Sequence, residues 1–437
     1  AFSQPVASGQ LSTGPERDYT VKVLAGGLQP GRRYFYRFEL DGNFSETGRT
    51  RTLPTGQVGK LGIAIASCSN YPFGYFNAYE AIAADTEVDL VVHLGDYIYE
   101  YGADGWGSAV GRGLNRLHEP EGEIVSLADY LTRHGQYNSY SGSRAMLAAH
   151  PLISIWDDHE STKHPWLGGA ENHQPDKEGH WPTRRAASLQ AYYEWMPVRD
   201  PMPGHSRASY WRCYEFGDLA SLITLETRHT GRAKQIEYSD HLSRLETPAD
   251  ADWFATEVLG APGRNMLAAE NERFVSERLT ASVRSGQPWR LIANQIPMAR
   301  VHVPDLSDSG LVPNDVDPND PVASALAEMA RIGELDLPIY LDTWDGYPDA
   351  RERFYALCRD AGAEDLLVLT GDSHAFWANT LFDASNRSMG LELGTTGITS
   401  PGDFERFGPE GSRQMDGLLA AHNREVVWTD NRHRGYV

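Results

Sequence analysis

Three short stretches of the chain end in residue types that hold metal ions. The first joins Cys68 of SCSN to Asp96 and Tyr99 of GDYIYE. The second is WDDHE, with Asp157, Asp158, His159 and Glu160, and the third is TGDSH, with Asp372 and His374. Alone, each reads as an apolar strand that stops in a polar turn. Three in one chain point to a shared pocket. A thiolate, a phenolate, carboxylates and an imidazole suit trivalent iron better than a magnesium or calcium cage built only of oxygen. Iron so held would make its water acidic enough to give hydroxide near neutral pH, and a second cation across a bridging carboxylate would clamp a phosphoryl oxygen. A histidine beside the site, not itself a ligand, could protonate a leaving oxygen.

Such ligands need strands to carry them. Apolar runs at 61–67, 89–95, 150–158, 219–227, 289–295, 365–372, 389–397 and 424–430 read as strands. Helical spacing appears at 76–86, 126–140, 184–196, 270–283 and 350–362, the last with Phe354, Leu357 and Cys358 on one face. Strands alternating with helices predict an α/β body, without fixing the strand order. Ligands at strand ends would then project at the carboxyl edge of a sheet, where open α/β folds place their sites. Residues 1–57 differ. DYTVKVLAGG and RRYFYRFELDG, parted by the turn former LQPG, followed by TGRTRTLPTG, read as about half of an immunoglobulin- or fibronectin-like sandwich. Residues 300–350, rich in Asp, Pro and Ser, are expected as long surface loops, and 102–126 and 162–183 as pocket walls.

With 437 residues, core burial is not limiting, and 41% hydrophobic and 23% charged residues are ordinary for a globular enzyme. No stretch approaches the roughly 18–20 apolar residues of a membrane span. A net charge of −21 argues against a general binder of nucleic acid or anionic membrane, though not against small anionic substrates at a metal. Three cysteines cannot build a disulfide framework; Cys213 and Cys358 read as small buried hydrophobes. The opening AFSQPVASGQ has neither a charged start nor an apolar h-region, as a processed or trimmed chain also would not.

The order SC…GDYIYE…WDDHE…GDSH, with GAENHQPD, AYYEWMP, WDGYP and TSPG between and after, resembles the alkaline phosphatase D family, a branch of the calcineurin-like metallophosphoesterases. The resemblance covers nearly all of 18–402. It implies a four-layer αββα sandwich, two sheets face to face flanked by helices, over 58–437, with 1–57 the later strands of an N-terminal Ig-like domain. It also implies a small-molecule phosphoester substrate, monoester or diester, and a periplasmic or secreted location. Position by position, Cys68, Asp96, Tyr99 and His374 match the family's ferric (Fe3+) site. Asp96 matches the carboxylate that bridges to a second metal, usually Ca2+, and Asp372 another of its ligands. Asp158-His159-Glu160 stands where broader metallophosphoesterases have Asn-His-Glu/Asp, making Asp158 a metal-side residue and His159 the general acid or transition-state stabiliser. Asp157 and Glu160 fit supporting roles.

One departure stands out. Where the family has a metal-binding asparagine, four residues after His159, this chain has Lys163, followed by His164. An ammonium has no lone pair to offer a cation. Either Lys163 replaces the second metal, or the loop shifts and the metal keeps other ligands; the first is favoured here, which makes Lys163 a catalytic candidate. A single charge would clamp a dianionic monoester less well than a diester, so a bias away from monoesters is expected. Glu226 and Arg228 in LETRHTGR read as a structural ion pair, and Arg184 and Arg185 as helix-surface residues; Trp166, Trp181 and Trp195 read as core, with one wall of an apolar pocket as the other option. Two readings compete with the hydrolase: a non-haem iron oxidoreductase, whose facial two-histidine, one-carboxylate signature is missing from the motifs, and a binding protein with a decayed site.

Overall fold

The computed structural model describes residues 2–312 and 321–437. Its first strands are short: β1 (Arg33–Tyr36), β2 (Glu39–Leu40), β3 (Asn43–Phe44) and β4 (Gly48–Arg51). They form two ribbons, β1 antiparallel to β4 and β2 to β3. The DYTVKVLAGG stretch, expected as a strand, makes none. It opens in a turn with Asp18 and Tyr19 at positive φ, and Val21, Val23 and Leu24 then lie exposed without a ladder partner among the described residues.

Next come β5 (Ile63–Ala66), β6 (Leu90–His93) and β7 (Leu152–Ser154), one parallel sheet, and the two-residue ribbon β8 (Pro165–Trp166) with β9 (Gly169–Ala170). The remaining strands are β10 (Cys213–Phe216), β11 (Ala220–Thr224), β12 (Trp289–Ala293), β13 (Leu366–Thr370), β14 (Phe376–Phe382), β15 (Ser388–Gly394) and β16 (Val426–Asp430). They make a second sheet in the order β10-β11-β12-β13-β15-β14-β16. Its centre, β11-β12-β13-β15, is parallel, and β10, β14 and β16 run antiparallel to their neighbours.

The sheets face each other because the central strands are apolar on both sides. Leu222, Leu291 and Leu369 share one core with Ala64, Val91 and Val92 of the first sheet. Their neighbours Ile223, Ile292 and Val368 point the other way, into a second core. Each such side chain contributes about 1.5–3 kcal/mol when buried. Helices Asn77–Ala84, Leu127–Ser139, Ser141–Ala149 and Trp181–Trp195 close the first core, and Ala269–Arg284, Pro348–Asp360 and Gly408–His422 the second. The layers run helix, sheet, sheet, helix, as expected. No helix among the described residues is long and apolar enough to cross a membrane.

From residue 61 onward, every apolar run read as a strand carries one. Residues 300–350 are not mainly surface loop. They hold the helix Pro321–Glu334, and Val301, Val303, Leu306, Leu337, Leu341, Trp344 and Tyr347 belong to the second core. The segment is polar on average, but its apolar residues gather on the buried side, which composition alone hides. Residues 313–320 of this stretch lie outside the described residues. The 102–126 wall also contains a helix, Ser108–Leu114. Phe354 and Cys358 are buried as the helical spacing requires, whereas Cys213 is only half-buried; all three cysteines are free.

Candidate metal centre

Strands β5, β6 and β7 run in parallel, so their carboxyl ends reach one edge. Two glycines let the loops beyond that edge close on one another. A Cβ at Gly95 (φ +107°) would stand 2.4 Å from the Asp157 Cβ, and one at Gly371, just past β13, 2.6 Å from Ser67 Oγ. A parallel bridge from Ser67 to Gly397 joins the two sheets at the same point. Cys68, Asp96, Asp372 and His374 all take left-handed backbone, at φ 59°, 55°, 65° and 54°. Each such residue costs about 1–3 kcal/mol and persists only where its surroundings enforce it, commonly at functional sites.

These turns bring the predicted iron ligands together. Asp96 Oδ2 lies 3.0 Å from the Tyr99 hydroxyl and 3.5 Å from Cys68 Sγ, and the hydroxyl is 3.3 Å from His374 Nε2. His374 Nδ1 donates to the Pro401 carbonyl at 2.9 Å, which leaves Nε2 as the free ligand atom. Cys68, Asp96 and His374 can each offer an atom to one ion, and so can Asp96, Asp157, Asp158 and Asp372, every atom within 4.8 Å of the others in its group. Asp96 is common to both. Asp157, expected as a supporting residue, is a member of the second group, and its Oδ2 is buried without a hydrogen-bond partner among the described residues.

The electrostatics fit cations at these positions. Burial, joined by neighbouring carboxylates, drives Cys68 and Tyr99 well above their usual ranges. Burial likewise raises Asp96 and Asp372 far above theirs, and Asp157 to about 6. So many anionic donors in a dry pocket are stable as anions only with positive charge among them.

Some of that charge is built in. The fully buried guanidinium of Arg228 sets Nε 2.5 Å from Asp157 Oδ1, Nη1 2.7 Å from Asp342 Oδ2 and Nη2 3.6 Å from Asp372 Oδ1. Asp342 also pairs with buried Arg232; against burial, the two arginines hold its carboxyl low. The Lys163 ammonium sits half-exposed, 3.0 Å from Glu171 Oε1. Arg228 thus contacts Asp157 and Asp342 directly, whereas Lys163, expected in place of the second metal, pairs with Glu171 and has Asp158 only as a neighbouring charge. Nor are Glu226 and Arg228 a simple ion pair. Glu226 instead accepts from the backbone N–H groups of Arg228, His229 and Thr230 at 2.7–2.9 Å and from Trp156 Nε1 at 3.1 Å, shaping the loop that presents the guanidinium.

His159 stacks on Tyr99, ring centroids 4.2 Å apart, and its Nδ1 meets Glu100 Oε2 at 2.5 Å. Burial alone would lower its pKa, but Asp158, Glu100 and Asp96 hold it well above the usual histidine range. Against burial, His159 holds Glu100 down to about 2. Glu160 accepts from the N–H groups of Asp96, Tyr97 and Asp157 at 2.6–3.0 Å, binding the loops after β6 and β7 into one unit. Trp106 lies over His374, rings near parallel at 5.7 Å, in the stretch expected to wall the pocket. Trp166, Trp181 and Trp195 sit elsewhere, Trp181 buried against His173 and His229. Buried Arg184 is taken up by Glu123 and Glu178. Sequence reasoning thus missed Glu100, Arg228, Asp342 and Trp106. Glu100 closes the GDYIYE motif and carried the one local signal.

Two groups of donors sharing one carboxylate, with a histidine alongside, are the arrangement a metal-dependent hydrolase needs. Residues 63–437 match the PhoD-like phosphatase family, and residues 1–54 match the PhoD-like phosphatase N-terminal domain. Alkaline phosphatase D of Bacillus subtilis (strain 168) is 32% identical over 447 residues, which cover 100% of this chain and 67% of that protein. The solved structure of PhoD aligns with a TM-score of 0.73 at 30% identity, over 97% of this chain and 72% of its own. The chain belongs to the PhoD-like phosphatase family. It is a metal-dependent phosphatase acting on small phosphoesters.

Proposed function

We propose that the chain hydrolyses phosphoric esters with Fe3+ held by Cys68, Asp96, Tyr99 and His374 and with Ca2+ held by Asp96, Asp158 and Asp372. The observation that carries this reading is that left-handed Cys68, Asp96 and His374 gather in one group of donors and left-handed Asp372 joins Asp96 in a second, so that Asp96 is common to both. Iron held by Cys68, Asp96, Tyr99 and His374 would supply Lewis acidity and acidify a water there. The protein's own groups do the rest. Glu100 fixes the His159 ring through Nδ1, leaving Nε2 to give a proton to the departing oxygen. Arg228 holds Asp157 and Asp372 apart from each other's charge, and Glu160 keeps the loop of Asp157 in register with that of Asp96. Trp106 shields the open side of His374. Residues 1–57 serve as part of an Ig-like segment and 58–437 as the catalytic domain, and family membership supports a periplasmic or secreted location.

Elemental analysis with a panel of phosphomonoesters and phosphodiesters tests this. Iron co-purifies, a visible tyrosinate-to-iron band is present, and chelation removes turnover. Colourless, iron-free protein with full activity would sink the ferric assignment. The band disappears in Tyr99→Phe, since the phenolate is its source. His159→Ala lowers kcat by about a hundredfold or more with the iron band intact; a band lost together with activity would make His159 a ligand instead.

A further inference from the structure

A second group of donors lies outside the buried centre. The β8–β9 ribbon pairs Pro165 with Ala170, and Glu171 N donates to the His164 carbonyl at 3.3 Å. His164 and Glu171 consequently face each other, Nδ1 2.6 Å from Oε2. Glu237, just before the turn Tyr238–Asp240, adds a third donor, with one atom of each residue within 4.8 Å of the other two. Closed ion pairing does not account for all of it. Glu237 Oε1 is buried with no hydrogen-bond partner among the described residues. The same is true of Oε1 of Gln235, a side chain 3% exposed whose amide lies against Glu237. A buried carboxylate oxygen left without a donor is costly, and a cation is the partner that suits Glu237.

We propose that His164, Glu171 and Glu237 bind a divalent transition cation of the Zn2+ class at the rim of the active site. One imidazole and two carboxylates match tetrahedral zinc, with water completing the shell. Calcium would ask for six or more oxygens. None of the three residues belongs to the buried centre, so the rim site stands or falls independently of the catalytic reading. Its role is to pin a loop: His164 N donates to Asp158 Oδ2 at 2.9 Å, so fixing His164 fixes the edge of the buried acids. The Lys163 ammonium, 3.0 Å from Glu171, competes with this cation.

Equilibrium dialysis of the metal-replete full chain against Zn2+ reads the site directly. The protein takes up one Zn2+ that His164→Ala and Glu237→Ala each lose, with affinity for it falling by at least about tenfold. Lys163→Met, which removes the competitor, binds the same ion more tightly. Uptake and affinity unchanged in both His164→Ala and Glu237→Ala, no additional Zn2+ in the parent protein, or weaker binding in Lys163→Met overturns the proposal. Circular dichroism and a cooperative thermal transition confirm that each variant is folded when it is compared.

Discussion

Asp96→Asn lowers kcat/KM by about a thousandfold or more, judged against the losses of about 10²–10³ that follow removal of a single electrostatic stabiliser. The effect exceeds that of one ordinary ligand because Asp96 is common to both groups of donors. Its Oδ2 meets Cys68 and Tyr99, while Oδ1 accepts from the His159 backbone N–H at 3.3 Å. An amide is neutral, so both cation positions weaken together. Metal analysis of the variant shows substoichiometric occupancy of both ions. Wild-type occupancy of both would mean that Asp96 does not bridge. The substitution also relieves repulsion among buried carboxylates, so the metal-stripped variant unfolds at a higher temperature than metal-stripped parent protein.

Arg228→Met has the opposite signature. Removing one partner of a buried ion pair costs about 3–5 kcal/mol because the other charge is left uncompensated. Here Asp157 and Asp342 both lose their contact, and Asp372 its nearby positive charge. The destabilisation is largest in metal-free protein and shrinks when metals are added, since bound cations take over part of the compensation. Thermal unfolding with and without chelator measures that difference. Equal losses of Tm in both states would reduce Arg228 to a packing residue. Arg228→Lys recovers only part of the stability, because an ammonium cannot reproduce the guanidinium's separate contacts to two carboxylates.

How much of this was legible in sequence depended on distance along the chain. Cys68, Asp96, Tyr99, Asp372 and His374 could be read because each follows an apolar run within a few residues, a local pattern. Glu160 was read as a support for the same local reason, and its three backbone contacts fall within its own loop and the one after β6. Arg228 could not be read. Its partners Asp157 and Asp342 stand 71 and 114 residues away, and nothing near LETRHTGR announces either. Residues 18–27 failed in the other direction. Their β-favouring composition describes a strand only when a neighbour is present to pair with, and none of the described residues supplies one.

By itself, then, the amino-acid sequence determined the alternation of strands and helices, the donor types, and their place at strand ends, all set by short-range periodicity and residue chemistry. Tertiary structure decided which positive charge meets those donors. Lys163, next to the motif in sequence, is drawn to Glu171 across the β8–β9 ribbon. Arg228, far away in sequence, is buried where the two sheets meet and turned into the acids by the loop that Glu226 caps. Charge pairing falls off with distance in space and is indifferent to separation along the chain, so only the folded arrangement could assign it.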